Sequence, residues 1–488
     1  MNQRTAFSLL LCAAGVAFVS PLAGLHAQQR TDTLRMGVAD AVQYVLRSSD
    51  ENKLALLAVD IANAGVTTAF APGMTQFRFN GSYSQVLKNA RAELVGTVFG
   101  QAYTYTGAVA ISQPLFQGLR IVSSARGALR TRDAARLDAG ETRARLALDV
   151  QRSYLNALYL AKLAELQNRN LTLTSERLKQ VEQLVAAGRS SRFDLLRARV
   201  DRANIEPLAL QASNDRDLAL LDVKRLLDVD VERPLLLTTT LDTAVVRTIV
   251  NAARADSLGD PLRGSVQSAE FSLQARREAV RVARADFFPQ VTATANIGYL
   301  ALPTRNGLPD RLGATSVDFC PPGSTAGKIC QNNGFFPDRS IGLTVTWALF
   351  DGLRTKGNLD IATAQARIAE TALHQARETA ALDLARARAE FSRARLAWEA
   401  RTVNAAEAEE AFQLASLRFQ RGLSTQLEVT DAQVALLTAR STEARSIYDL
   451  YLSAAELARV RGRPIPLPTG GTVPIRSNAG LSSVSDNR

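Results

Sequence analysis

Cys320, Cys330 and His374 are the side chains best suited to nucleophilic, redox or metal chemistry, and their setting supports little of it. The two cysteines have nine residues between them in a stretch rich in proline and glycine. No further ligands for a metal stand near, so in an exported protein they read most simply as a disulfide. His374 has only one fellow histidine, His26, which lies in an N-terminal segment expected to be cleaved off. It reads as a helix-surface residue. No glycine-rich phosphate loop, metal-spaced Cys/His cluster or nucleophile elbow is present. Carboxylates abound but alternate with arginines, as in Arg386, Arg388, Glu390, Arg393, Arg395 and Glu399. That is the pattern of a solvated helix face with i,i+4 pairs. Neither an enzyme nor a cofactor nor a metal is expected. A net charge of +11, falling to +10 once Arg4 leaves, is spread along helices rather than gathered in a block, so nucleic acid is not an expected partner.

The element that must position everything else runs from Gly352 to Gly422, a stretch without proline and with one interior glycine, Gly357. From Leu384 the side chains Leu384, Phe391, Trp398, Phe412 and Phe419 recur at seven-residue steps with Ala405 in register, and Ala387, Ala394, Ala408 and Ala415 follow three positions later. This is a coiled-coil seam of large knobs over small ones. At 1.5 Å per residue the stretch makes a rod of roughly 105 Å. Such a rod crosses a space rather than wrapping a core. Shifting back by 234 positions lands on a second copy, from Gly118 to Gly188, with Val150, Ala157, Ala164, Leu171, Leu178 and Val185 as its seam. The chain therefore has an internal two-fold repeat.

Residues 1–27 read as a signal peptide: Arg4, an apolar run from Ala6 to Val19, and Ala27 before the cut. Leu11 before Cys12 is too large for lipoprotein processing. No later stretch reaches 18 consecutive apolar residues, so a membrane would have to be crossed by strands. Four candidates exist, a hairpin over about 75–113 and another over about 290–350. In the first, Phe77, Phe79, Tyr83, Tyr105, Val109 and Ile111 alternate with small or polar residues. In the second, Val291, Ala293, Ala295, Ile297, Tyr299, Ile341, Leu343, Val345, Trp347 and Leu349 do the same. Strands of about ten residues with this dyad pattern suit a transmembrane barrel. Four of them cannot close around a channel, and lipid forbids an open edge, so several copies must complete one barrel.

The first repeat spans 34–230: a helix from 36 to 70, the hairpin, the rod with its turn near 188, and a returning helix from 192 to 228 that Pro207 should kink. A connector covers 231–246. The second repeat spans 247–462: a helix from 247 to 288, the hairpin, the rod with its turn near 422, and a returning helix from 424 to 460. This last helix offers Val434, Leu437, Ala444, Tyr448, Tyr451 and Ala455 to its rod. Measured from Pro72 and Pro289, the second hairpin carries 17 more residues, within Ala301 to Asp338, a long loop expected to face outward. The tail, 463–488, reads as disordered.

The motif Leu115-Phe116-Gln117-Gly118-Leu119-Arg120, its copy from Leu349 to Arg354, the run from Gly422 to Gln433 and the duplicated hairpin-and-rod order resemble the TolC-like outer-membrane efflux proteins over about residues 34–462. The resemblance implies long α-helical coiled-coil hairpins forming a periplasmic tunnel, plus a transmembrane antiparallel β-barrel completed by a homotrimer with four strands per chain. It implies a passive duct for efflux or type I secretion of small molecules or proteins. The partners would be outer-membrane lipid, a periplasmic adaptor (membrane fusion protein) and an inner-membrane pump of RND, ABC or MFS type. Carried over residue by residue, Asp194, Glu428 and Asp431 match the acids that narrow the periplasmic gate, while Ser424 stands where family channels can carry a basic residue. Gly188, Ser190, Ser191, Gly422, Leu423 and Ser424 match the adaptor-docking tips. Plain capping and turn chemistry is the simpler reading of the same residues. A non-conducting structural or adhesive coiled-coil protein is the competing function, and it leaves the attached strands unexplained.

Overall fold

The computed structural model describes residues 33–88, 103–240, 246–247, 250–251, 263–301, 308, 311–312, 334–463, 465–466 and 472–473. The expected signal peptide, the expected Cys320–Cys330 disulfide and most of the tail lie outside the described residues.

The two rods are α3 (Arg120–Ala186) and α6 (Arg354–Gln420), each 67 residues, and their return helices are α4 (Arg192–Leu226) and α7 (Gln426–Val460), each 35. All four boundaries keep the 234-residue offset. The seam is buried at Val150, Ala157 and Ala164 in α3 and at Ala387, Phe391, Ala394, Trp398 and Ala405 in α6, and is only half-buried at Leu171, Leu178 and Val185 and at Leu384, Ala408, Phe412, Ala415 and Phe419. On α7, Ala444, Tyr448, Tyr451 and Ala455 are buried, but Val434 is 56% exposed and is not part of the packed face. There Gln433 turns inward instead, at 5% exposure, because it has polar partners on α3. α4 runs through Pro207 without a break, held along α3 on both sides of the missing N–H.

Each rod begins with the same left-handed step, Gly118-Leu119 (φ 59° and 66°) and Gly352-Leu353 (φ 70° and 68°). Leucine is rare at positive φ, so the pair of residues is a strained bend set where strand becomes rod. At Gly118 the reason for glycine is also steric: a Cβ would lie 2.7 Å from the Ala285 carbonyl oxygen.

Ahead of the first rod come β1 (Leu34–Met36), α1 (Val38–Ser48) and α2 (Asp50–Phe70), so the expected single helix is two. Ser49 divides them: its backbone is extended (ψ 132°) and its hydroxyl accepts from the Glu51 N–H, capping α2. In the second half residues 246–247 and 250–251 are helical within the expected span, and α5 (Gly264–Arg284) begins anew after Arg263, which is likewise extended (ψ 141°). α2 and α5 each hold 21 residues and end in one 3₁₀ turn, Ala71–Gly73 and Ala285–Phe287. Through them the offset is 214, so Pro72, inside its turn, corresponds to Asp286 rather than to Pro289, and the second hairpin is longer by 20 residues, not 17.

The hairpins are β2 (Gln76–Gln85) with β3 (Tyr103–Gln117), and β5 (Gln290–Ala301) with β7 (Gly334–Thr346), a two-residue β6 (Arg311–Leu312) lying at the β7 edge. The last strand thus begins and ends earlier than the alternation suggests. Trp347 to Leu349 lie past it, and the Trp347 indole donates to the Phe287 carbonyl at 3.1 Å. β2, β3, β5 and β7 form one antiparallel sheet. Its register sets Phe77 beside Ile111, Phe79 beside Val109, Val109 beside Ile297, and Ala295 beside Ile341. The apolar sets of four strands therefore share one face. The row Arg78, Ala110, Asn296, Ser340 lies on the other.

The main apolar core sits partway along the rods. Val38, Val42 and Val45 of α1 pack with Leu146, Val150 and Tyr154 of α3 and Val223 of α4. Tyr154, fully buried, donates to the Met36 carbonyl at 2.8 Å and accepts from the Thr239 N–H at 3.2 Å. This holds the connector strand β4 (Leu235–Leu237), parallel to β1, against the first rod. A second cluster joins Phe391, Trp398, Tyr448 and Tyr451 to Leu155 across the halves. In the tail, β8 (Ile465–Pro466) pairs with β9 (Thr472–Val473), giving order to part of a segment expected to have none.

Candidate functional site

The features that bear on function lie at the two ends of the rods: the sheet at one and the helical turns at the other. Both turns close in the same way. Gly188 (φ 71°) and Gly422 (φ 73°) take the left-handed position, and the N–H of Arg189 and of Leu423 reaches back to the carbonyl of Leu184 and of Arg418, each at 2.8 Å. Ser424 Oγ adds a bond to the Ala415 carbonyl at 3.4 Å. Ser191 and Thr425 then cap the return helices.

The three acids do not share one environment. Asp194 is the third residue past its cap and closes a capping box: Oδ2 accepts from the Ser191 N–H (3.1 Å), the Ser191 hydroxyl (2.7 Å) and the Ser190 hydroxyl (3.0 Å). The Ser191 hydroxyl bond chiefly, with the Ser191 N–H, Ser190 and the Arg197 charge, holds this carboxyl below the usual carboxylate range. Glu428 has the same place after the second turn, where its N–H donates to Thr425 Oγ1 at 3.4 Å but its carboxylate closes no box. Glu428 and Asp431 are exposed. The position equivalent to Asp431 in the first half is Arg197, so acid density is concentrated on α7. Ser190, Ser191, Leu423 and Ser424 stand at the tips as expected. Sequence reasoning passed over Phe193 and Leu427, an equivalent pair at 71% and 45% exposure. An aromatic residue two positions past a polar turn, on a helix whose own apolar face lies elsewhere, is the signal that marks Phe193.

A match to the outer membrane efflux protein family covers residues 33–228 and 262–463. The chain belongs to that family. As a family member it is an outer-membrane channel protein with its helices extending into the periplasm. It is 30% identical to the outer membrane protein OprJ of Pseudomonas aeruginosa over 171 residues, which span 35% of this chain and 31% of OprJ. Among solved structures, VceC of Vibrio cholerae matches 87% of this chain and 96% of its own (TM-score 0.69, 18% identity). The open state of the MtrE channel of Neisseria gonorrhoeae matches 87% and 89% (TM-score 0.67, 18% identity). These structural likenesses establish the same fold at low identity.

Proposed function

We propose that three copies of this chain close a 12-stranded barrel in the outer membrane and continue it as a tunnel of helices through the periplasm, serving as the passive duct of a tripartite efflux or type I secretion assembly. The observation that carries this reading is the matched incompleteness of every layer. Within the chain the sheet ends at β2 on one side and, but for the two-residue β6, at β7 on the other. Near the sheet the helices follow the order α2, α3, α5, α6, and toward the turns the order α4, α3, α7, α6. The outer members leave most of the bare apolar side chains of these helices: Leu54, Leu57 and Ile61 on α2, Leu208, Leu210 and Leu218 on α4, and Ile361, Ile368 and Val403 on α6, against Val122 on α3 and Leu427 and Val434 on α7. α2 with its 3₁₀ turn is long and apolar enough to cross a membrane by length and composition, yet it lies beside the rods. One side of each layer is thus complementary to the other side of the next copy, a head-to-tail contact that closes into a ring.

In this reading Asp194, Glu428 and Asp431 line the narrow periplasmic end. Glu428 and Asp431 supply most of its field, because Asp194 is engaged in its own cap. Like charges held about 7 Å apart repel by about 2 kcal/mol at an effective dielectric of 20, so such a ring favours cations. The tips formed by Gly188, Ser190, Ser191, Gly422, Leu423 and Ser424, with Phe193 and Leu427, receive a periplasmic adaptor, and an inner-membrane pump (RND, ABC or MFS) delivers the cargo. A purely structural or adhesive role would give the lipid-suited face of the sheet nothing to do.

Unheated gel electrophoresis and light scattering of the detergent-purified protein are expected to report trimers, and planar-bilayer recordings to report conductance. A monomer that stays folded without detergent would overturn the proposal. Replacing Glu428 by Gln and Asp431 by Asn is expected to lower cation over anion selectivity severalfold, and unchanged selectivity would remove these residues from the gate. Bulky substitutions at Ser190 and Ser424 should abolish cross-linking to the adaptor while trimers persist.

A further inference from the structure

One charged side chain stands on the face of the sheet that is otherwise suited to lipid. The register sets Arg339 of β7 beside Ile297 of β5, in the row that holds Val109 and Phe79, and its neighbours on that face of β7 are Pro337, Ile341, Leu343 and Val345. Among the described residues of β2, β3, β5 and β7 it is the sole charge there, because Arg78 and Asp338 lie on the opposite face. Its side chain is exposed.

The repeat fixes its depth. β3 and β7 lead into rods that keep the 234-residue offset, and that shift carries Tyr105 onto Arg339, so the two stand equally far from their rods. Tyr105 pairs with Tyr83, ring centroids 4.9 Å apart, toward the end of the sheet away from the rods. Tyrosines gathered at one level mark a membrane interface. The other interface is marked by Trp347 and Phe350, both bare where β7 gives way to its rod. The roughly 11 residues from Phe350 to Arg339 rise about 26 Å at about 3.4 Å per residue and about 45° of tilt, the height of the apolar band of such barrels. Because the strands are tilted, depth follows distance from the rod rather than the row. The rods extend into the periplasm, so Arg339 stands in the outer leaflet.

Neither strand that can flank β7 offers a counter-charge. β5 carries no Asp or Glu, and neither does β2, which the next copy presents at the free edge of β7. A guanidinium facing hydrocarbon is costly at the midplane but not at the interface, where it reaches the headgroups. We propose that Arg339 binds a phosphate of the phosphorylated glycolipid of the outer leaflet, one lipid per chain, and that this lipid covers the junction between copies and fastens the trimer. The planar fork of the guanidinium matches a phosphate through two parallel hydrogen bonds. Ile341 and Leu343, bare on the same face nearer the midplane, meet the acyl chains. The first half builds no such site, since Tyr105 brings a hydroxyl and no charge to the equivalent place. The proposal rests on the trimeric barrel, in which β7 of one copy meets β2 of the next.

Trimers purified in detergent and stripped of lipid are expected to take up bisphosphorylated lipid A, read by native mass spectrometry, and to resist dissociation on partly heated gels better with it than without. Arg339→Gln and Arg339→Tyr, the second supplying the residue of the first half, are expected to lower lipid A retention about tenfold, the effect of losing a charged hydrogen-bonded pair. Arg339→Lys, which keeps the charge, is expected to keep part of it. Phosphatidylcholine and inorganic phosphate, added alone, are expected to leave dissociation unchanged. Equal retention by Arg339→Gln, or equal protection by either comparison probe, would overturn the site. Unheated gels run without added lipid judge the barrel separately: a lack of trimers there removes the barrel, whereas trimers indifferent to lipid A remove only the site.

Discussion

Asp194 shows how one carboxylate can be a cap and a charge at once. Its folded-state ionisation is favoured by the Ser191 and Ser190 bonds, so the stabilisation it brings is fully present above the ordinary aspartate value of about 3.9 and is lost as pH falls through its lower folded value. Hydrogen exchange at the start of α4 is expected to accelerate below about pH 4, and Asp194→Asn should raise that exchange at neutral pH and flatten the acid response. Asp228 gives a second case. It sits at φ 53° where α4 ends, in the position that Gly462 fills at φ 67° after α7, with the same closing bonds from the next residue. Asp228→Gly should therefore stabilise the protein by about 1 kcal/mol, seen as a higher unfolding midpoint. The acids were visible in the sequence because they follow a glycine turn at fixed spacing. Which of them is consumed by a cap depended on hydroxyl geometry that spacing does not state.

Among the elements, the connector between the halves pairs with β1 and is pinned to the first rod by one buried phenol. Tyr154→Phe removes a donor to Met36 and leaves the buried Thr239 N–H unpaired, an expected loss of about 1–3 kcal/mol that chemical denaturation would measure. The seam residues behave more simply: Trp398→Ala, emptying a buried site between α6 and α7, should cost about 3–5 kcal/mol. Heptad spacing made the rods legible to within two residues at each end, since a seven-step apolar stripe has one way to be buried. The breaks at Ser49 and Arg263 were not, because a helix of good formers gives no sign of one extended residue until tertiary contacts demand it. The 214-residue offset of the shorter helices was hidden for a related reason: Pro72 and Pro289 look alike in sequence, but Pro72 lies inside its 3₁₀ turn and Pro289 follows its own.

At the scale of the whole molecule, the sheet face that carries Phe79, Ile341 and Leu343 is bare in the single chain and suited to lipid. Leu343→Arg on that face is expected to cost about 2–4 kcal/mol near the bilayer midplane and to lower the yield of heat-modifiable trimers, whereas the same change at Ser340, on the opposite face, should be tolerated. Gly298 tests the wall itself. A Cβ there would lie 2.5 Å from the Gly107 carbonyl oxygen and from the Ala108 side chain, so Gly298→Ala should disturb the β3–β5 pairing.

The sequence alone determined the duplicated rods, their turns, the strands and the faces they bury, since periodicity of seven or two is a local property of the chain. The tertiary structure decided how the halves meet: Gly118 against Ala285, Arg120 paired with Asp286, Tyr154 between Met36 and Thr239, and the polar contact of Arg177 and Gln433 with α7 and α3. Those partners stand 85 or more residues apart, and their meeting follows from the order in which helices and strands pack side by side, which no repeat length records.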